Sequence, residues 1–234
     1  PTDGWKFVTD VKIIGRAPRD IKAGIARGST IAKEVNACRM LANTPGGDMT
    51  PRLLAEEARN AAKNLPVDVT VLGRSQMEQL GMGGVVGVAR GSDEEPQFII
   101  LKYEGSHRKT ERPVVLVGKG VTFDTGGLNL KPSNAIYEMH MDMSGGAAVI
   151  HAVTLAARLG IKKNVIGLIP AVENMPSGSS YHPGDVLRSL SGRTIEVLNT
   201  DAEGRIILAD AITYAKRYNP RIVVDVATLT GAAM

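Results

Sequence analysis

Apolar residues recur at Ile21, Ile25, Ala32, Val35, Cys38 and Ala42, at the three-to-four-residue spacing that lays one stripe along an α-helix. The pattern predicts a helix over 19–42. Gly24 and Gly28 lie on or beside that stripe, where their low helix propensity implies close packing against another element. Pro45 and Gly46-Gly47 end it. Thr50-Pro51 opens a second helix with a hydroxyl cap followed by proline at the first position, and Leu54, Ala58, Ala61, Ala62 and Leu65 form its inner face. Beyond Pro66 the period changes to two: Val67, Val69 and Val71 alternate with polar residues, as in a half-exposed strand. A short helix near 76–80 follows, then GMGG, read as a turn into a short strand at 85–89. It is not a phosphate-binding fingerprint, because no G-x-G-x-x-G opens a helix.

Four later runs, 98–103, 114–117, 165–171 and 222–227, are apolar without alternation, which suits strands at the centre of a sheet covered on both faces. Helical patterns at 145–159 and 205–218 separate them, the first stopping at Gly160 and the second at Asn219-Pro220. Such alternation predicts an α/β fold, a mostly parallel mixed sheet flanked by helices on both faces. VKII at 11–14 reads as a short strand in a loop-rich start, and the charged 104–112 stretch as an exposed hairpin or loop. The chain stops at TLTGAAM straight after an expected buried strand, so it reads as part of a longer protein.

Composition narrows the class without changing this picture. Of 234 residues, 43% are hydrophobic and 22% charged, ordinary for a soluble globular protein. Twenty-six glycines with 4% aromatics suit α/β loops better than a β-sandwich. A net charge of +4 is spread among acids, with no basic run interleaved with aromatics. Nucleic acid therefore has no electrostatic footprint here beyond a pI of about 9.2. No apolar run is long enough for a transmembrane helix. PTDGWKF resembles neither a signal nor a transit peptide. The single cysteine, Cys38, excludes an internal disulfide and a cysteine-based zinc site; on its helical stripe it reads as a buried packing residue, compatible with a reducing cytosol.

Open α/β sheets bind ligands beyond the carboxyl ends of their strands. After 114–117 come Lys119, Asp124 and Lys131, and just before the 145–159 helix comes Asp142. After a strand-like stretch at 194–198 comes NTDAEGR with Asp201, Glu203 and Arg205, and after 222–227 comes TLTG. Each has a bland alternative. Lys119 lacks the P-loop spacing, Asp124 fits a turn before Gly126-Gly127, and Asp142 fits a helix cap. Thr200-x-x-Glu203 fits a capping box. Together they place four carboxylates on one edge of one sheet, where they would repel unless neutralised. Two divalent ions would balance Asp124, Asp142, Asp201 and Glu203, and a lysine could join them only as the neutral amine. Histidine supplies no site: there is no H-E-x-x-H, and His107, His140, His151 and His182 show no ligand spacing. His151 reads as a helix residue and His182 as a loop residue. An oxygen-rich set with one nitrogen suits Mn²⁺, Mg²⁺ or Zn²⁺ without choosing among them.

VGKGVTFDTGGLNLKP, MHMDMSGGAA, ENMPSG, NTDAEGR and DVATLTGA, in this order, resemble the motifs of the leucyl (cytosol) aminopeptidases, the M17 metallopeptidase family. NTDAEGR is that family's signature, and NTPGGDMTP resembles its segment leading into the catalytic domain. The resemblance implies a cytoplasmic metallo-exopeptidase acting on peptides with an unblocked amino terminus and preferring leucine-like or other apolar residues. It implies Lys119, Asp124, Asp142, Asp201 and Glu203 as ligands of two ions, with Asp124 and Glu203 bridging. Lys131 then matches the catalytic lysine and Arg205 the arginine that holds bicarbonate. Met139, Thr228 and Leu229 match residues of the substrate pocket. The implied organisation is a lead-in segment or linker, 1–18, from an N-terminal domain outside this chain, and a catalytic domain, 19–234, truncated at its C-terminal side. The implied assembly is a homohexamer. Thr125 stands where serine is usual and Ile206 where leucine is usual. A bridging Glu203 could not close a capping box, so Thr200 or Asp201 is expected to cap alone. Two other readings stay open: a non-catalytic or DNA-binding member of the same fold, and another two-metal hydrolase such as a phosphatase.

Overall fold

In a computed structural model describing residues 8–108 and 110–231, the apolar runs assemble into one mixed sheet between two helical layers. The elements are α1 (Pro18–Ala42), α2 (Pro51–Ala62), β1 (Val67–Leu72), α3 (Arg74–Leu80), α4 (Gly83–Val88), β2 (Gln97–Glu104), β3 (Val114–Gly118) and β4 (Gly120–Asp124). They continue with α5 (Ser133–Ile136), α6 (Ser144–Arg158), β5 (Asn164–Asn174), β6 (Val186–Arg188), β7 (Thr194–Glu196), α7 (Glu203–Ala215) and β8 (Ile222–Val226). The main sheet runs β1-β2-β5-β3-β8, with β4 also on β5. Pairs β3/β5, β4/β5 and β3/β8 are parallel; β1/β2 and β2/β5 are antiparallel. The mostly parallel α/β expectation is met.

Burial on both faces explains the unalternating runs. Phe98 and Ile100 of β2 face a core shared with Val85, Val88, Ile207 and Ala211, while Ile99 and Leu101 face Leu54, Ala58, Ile150 and Val153. Each such side chain, fully withdrawn from water, contributes on the order of 1.5–3 kcal/mol. The cap at Thr50 forms as the sequence predicts, its hydroxyl accepting from Leu53 N at 3.2 Å.

Several local expectations are corrected. Residues 85–89 are not a strand: they belong to α4 and the short 3-10 turn after it. The β-propensity of the valines is overridden because Val85 N donates to the buried Asp210 carboxylate at 3.0 Å. Gly84 permits the approach, since a β-carbon there would lie 2.9 Å from Ile206 O and 2.8 Å from Asp210 Oδ2. β8 is an edge strand among the described residues rather than a central one, with Ile222 51% and Val226 39% exposed. The strand at 194–198 is only Thr194–Glu196 and pairs with β6 in a separate hairpin. VKII forms no strand and is exposed. Cys38 is half-buried against the α6 side of the core. Residues 1–7 of the 1–18 segment and 232–234 at the chain's end lie outside the described residues.

One polar contact fastens α1 to α6. Buried Glu34 accepts from Thr154 Oγ1 at 2.7 Å, pairs with His151 Nδ1 at 2.8 Å and meets Arg158. Burial pushes its pKa up, but these three partners outweigh that and hold it below the usual glutamate value. A depressed folded-state pKa contributes stability above the unfolded-state value that is lost as pH falls through the folded one. Glu34→Gln is therefore expected to cost about 1–3 kcal/mol at pH 7. The gap to wild type should narrow below pH about 4.3, the ordinary glutamate pKa, as read from urea unfolding at both pH values.

Candidate metal centre

Lys119 sits where one long strand path breaks. β3 and β4 both follow β5, but at Lys119 the backbone turns aside: its N–H donates to Val226 O at 3.0 Å and its carbonyl accepts from Gly146 N at 2.8 Å. The Lys119 side chain is thereby driven into the interior, only 3% of the residue exposed. Gly204 of NTDAEGR makes room for it, since a β-carbon there would lie 2.6 Å from Lys119 Cε. β4 was not foreseen as a strand, because glycine and polar residues dilute its apolar pattern. It ends on Asp124, whose Oδ1 accepts from Gly126 N at 2.9 Å and Asn174 Nδ2 at 2.8 Å. Gly126 and Gly127, with φ of +88° and +65°, then turn the chain back toward Lys131.

NTDAEGR enters from the 3-10 turn before α7. Asn199 caps that turn, its Oδ1 accepting from Asp201 N at 2.8 Å. The expectation that Thr200 or Asp201 would cap is corrected. The Thr200 hydroxyl instead crosses to the other loop, donating to Gly126 O at 2.6 Å and accepting from Asn129 N at 2.8 Å. Tyr181 Oη donates to Thr200 O at 2.6 Å. Glu203 closes no capping box; its Oε1 lies 2.9 Å from Lys119 Nζ.

The ligating atoms of Asp124, Asp201 and Glu203 fall within 4.8 Å of one another. Lys131 Nζ lies 2.9 Å from Asp124 Oδ2 and contacts Asp201. Lys119 Nζ lies 2.7 Å from Asp142 Oδ2 and donates to Thr228 O at 2.8 Å, while Thr228 Oγ1 donates to Asp142 Oδ1 at 2.6 Å. Burial pushes Asp142 up to about 7, against the opposing pull of Lys119. Burial likewise raises Glu203, with Lys119 opposing and Asp124 adding to the rise. For Lys119, burial alone would lower the pKa, but Glu203 and Asp142 carry it above the ordinary lysine value. Lys131 behaves the same way beside Asp201 and Asp124. Two ammonium groups stand among four carboxylates, fewer cations than acids. Glu203 Oε2 remains buried without a hydrogen-bond partner. An orphaned carboxylate oxygen in a cluster short of positive charge fits a divalent cation, and the donor set is the oxygen-rich one such ions take.

All ten residues singled out in the sequence line one cleft of about 750 Å³. Lys119, Asp124, Lys131, Asp142, Asp201 and Glu203 form its charged part, and Met139, Thr228 and Leu229 lie along its wall. Arg205 is exposed there and makes no hydrogen bond or ion pair with the described residues, which leaves its guanidinium open to an anion. Sequence reasoning missed the frame behind these residues. Asn174, Tyr181 and Asn129 carry no charge at neutral pH that would flag them, and Thr200 reads locally as a cap. The signal was that Asn129 and Asn174 fall inside the motifs VGKGVTFDTGGLNLKP and ENMPSG, which name no role for them.

Residues 36–234 match the family model described as the cytosol aminopeptidase family, catalytic domain. A probable cytosol aminopeptidase of Methylibium petroleiphilum is 54% identical over 213 residues, covering 91% of this chain and 44% of that protein. One of Ralstonia nicotianae is 54% identical over 209 residues, covering 89% and 41%. The chain thus spans under half the length of these relatives. Among solved structures, the bottromycin maturation enzyme BotP in complex with Mn superposes with a TM-score of 0.85 at 42% identity, covering 94% of this chain and 48% of that one.

Proposed function

The chain belongs to the cytosol aminopeptidase family, and on that premise we propose that it is the catalytic part of a metal-dependent aminopeptidase. It removes the N-terminal residue of peptides with a free amino terminus, preferring leucine-like or other apolar side chains. The observation that carries this reading is the Asp124, Asp201 and Glu203 cluster, within 4.8 Å and with Glu203 Oε2 unpartnered. Asp124, Asp142, Asp201, Glu203 and Lys119 are the residues that would hold the divalent ions. Manganese, named with BotP, is the first ion to test, and zinc the second.

Bound there, such ions would supply the Lewis acidity that makes water nucleophilic at neutral pH. The chain's own residues do the rest. Lys119 would join such a set only as the neutral amine, giving up its proton and the ion pairs it makes with Asp142 and Glu203. Lys131, which keeps its proton beside Asp124 and Asp201, is the ammonium placed to donate to the carbonyl oxygen as negative charge develops on it. Arg205, exposed in the cleft, would hold a bicarbonate, a group that supplies a general base when bound. Met139, Thr228 and Leu229 receive the apolar side chain of the terminal residue. The cytoplasm and a homohexamer are the setting and assembly that go with this reading.

The test uses the intact natural protein. Leucine p-nitroanilide and a phosphate monoester are offered in parallel after chelation and reconstitution with Mn²⁺ or Zn²⁺. Metal-dependent release of p-nitroaniline alone is expected. Phosphatase activity alone would assign a different two-metal hydrolase, and no amidase activity in a metal-loaded protein would leave a non-catalytic member of the fold.

A further inference from the structure

We infer that Asn174 is a positioning residue of the metal centre: its side-chain amide holds the Asp124 carboxylate in register with the NTDAEGR turn, and metal affinity depends on that hold. The inference rests on the metal-binding reading of the same site. Asn174 ends β5 and is 0% exposed. Its Nδ2 donates to Asp124 Oδ1 at 2.8 Å and to Thr200 O at 3.0 Å. One amide therefore spans the two loops that carry Asp124 on one side and Asp201 and Glu203 on the other. Both partners are acceptors, so the orientation of the amide is fixed; reversed, it would set oxygen against oxygen.

The main chain does not need this amide. Asn174 O already accepts from Thr125 N at 3.0 Å and Thr125 Oγ1 at 2.7 Å, which fixes the strand end whatever the side chain. Nor does packing explain it. Asn174 Oδ1 is buried with no hydrogen-bond partner, a cost that an apolar side chain would not carry. What the amide does achieve is to tie down Asp124 Oδ1, together with Gly126 N. That leaves Oδ2 facing the cluster, 2.9 Å from Lys131 Nζ. A carboxylate restrained through one oxygen presents the other without first losing rotational freedom. Partners of this kind, one bond behind a ligand, typically set metal affinity by about 10–100-fold.

Calorimetric titration of the metal-free intact protein with Mn²⁺ tests the inference on wild type, Asn174→Ala and Asn174→Leu. Both variants lack the donor, but only alanine leaves a void. Both are expected to bind Mn²⁺ about 10–100-fold more weakly while still folded at the titration temperature. Wild-type affinity in a folded leucine variant overturns the inference, because volume alone would then suffice. Wild-type affinity in a folded alanine variant overturns it equally. Should neither variant fold, the wild type decides. In ¹⁵N-asparagine-labelled protein, the Asn174 side-chain NH₂ is expected to exchange slowly with solvent and to shift when Zn²⁺ is added. Fast exchange or an unmoved signal overturns it. A wild type that takes up no metal removes the underlying reading and this inference with it, an outcome distinct from a loaded wild type with equally loaded variants.

Discussion

On the proposed reading, Glu203→Gln is expected to lower peptidase activity by roughly 10²-fold or more, since even the loss of a partner behind a metal ligand costs about 10–100-fold. Metal content should fall with it. The substitution keeps the shape of the side chain and removes only its charge, at a position 1% exposed and 2.9 Å from Lys119 Nζ. A neutral amide is a weaker ligand for a divalent cation than a carboxylate, and the two remaining members of the close cluster, Asp124 and Asp201, are already shared with Lys131. The fold of the metal-free protein should survive, because Lys119 keeps Asp142 at 2.7 Å and Thr228 O at 2.8 Å. Elemental analysis after reconstitution with Mn²⁺, beside thermal unfolding in chelator, separates these effects. Full metal content in the variant would show that Glu203 is not a metal ligand.

Asp210→Ala is expected to act on the other ledger, destabilising the fold by about 3–5 kcal/mol while contributing no atom to the cleft. Asp210 is 0% exposed. Its Oδ2 accepts from Val85 N at 3.0 Å and its Oδ1 from Leu190 N at 2.7 Å, so one carboxylate anchors both α4 and the turn beside the β6–β7 hairpin to α7. Truncation leaves the buried Val85 N–H and the part-buried Leu190 N–H unpaired, each costing about 1–3 kcal/mol, and a cavity besides. At about 2–4 °C per kcal/mol for a chain of this size, the unfolding midpoint should drop by roughly 10 °C in a calorimetric scan. A drop below about 2 °C, equivalent to less than 1 kcal/mol, would mean that water or a relaxed backbone satisfies those donors.

Asp210 also marks where the sequence stops being legible. Periodicity located α1, α2, α6 and α7 and the strands at 98–103, 114–117 and 165–171, because each buries a face wide enough to dominate its own pattern. It failed at α4, where GGVVGV has the composition of a strand and is helical only because Asp210 and the space above Gly84 receive it. It failed at β8 too, where an apolar run implies burial that the described sheet does not provide. The charged residues of the cleft were legible because unpaired carboxylates at strand ends need a physical reason. The neutral frame was not: Thr200 imitates a cap until its partners, Gly126 and Asn129, are known, and those contacts are long-range.

That long range also orders events in time. Lys119 Nζ reaches Thr228 O across 109 residues of chain, and Lys131 reaches Asp201 across 70. Contacts so distant in sequence form late, after the loops between them have closed. During synthesis Asp124 and Asp142 leave the ribosome well before Asp201 and Glu203, so no nascent intermediate holds the complete donor set. The proposed centre therefore offers its whole donor set to an ion only once Asp201 and Glu203 have joined the residues made before them.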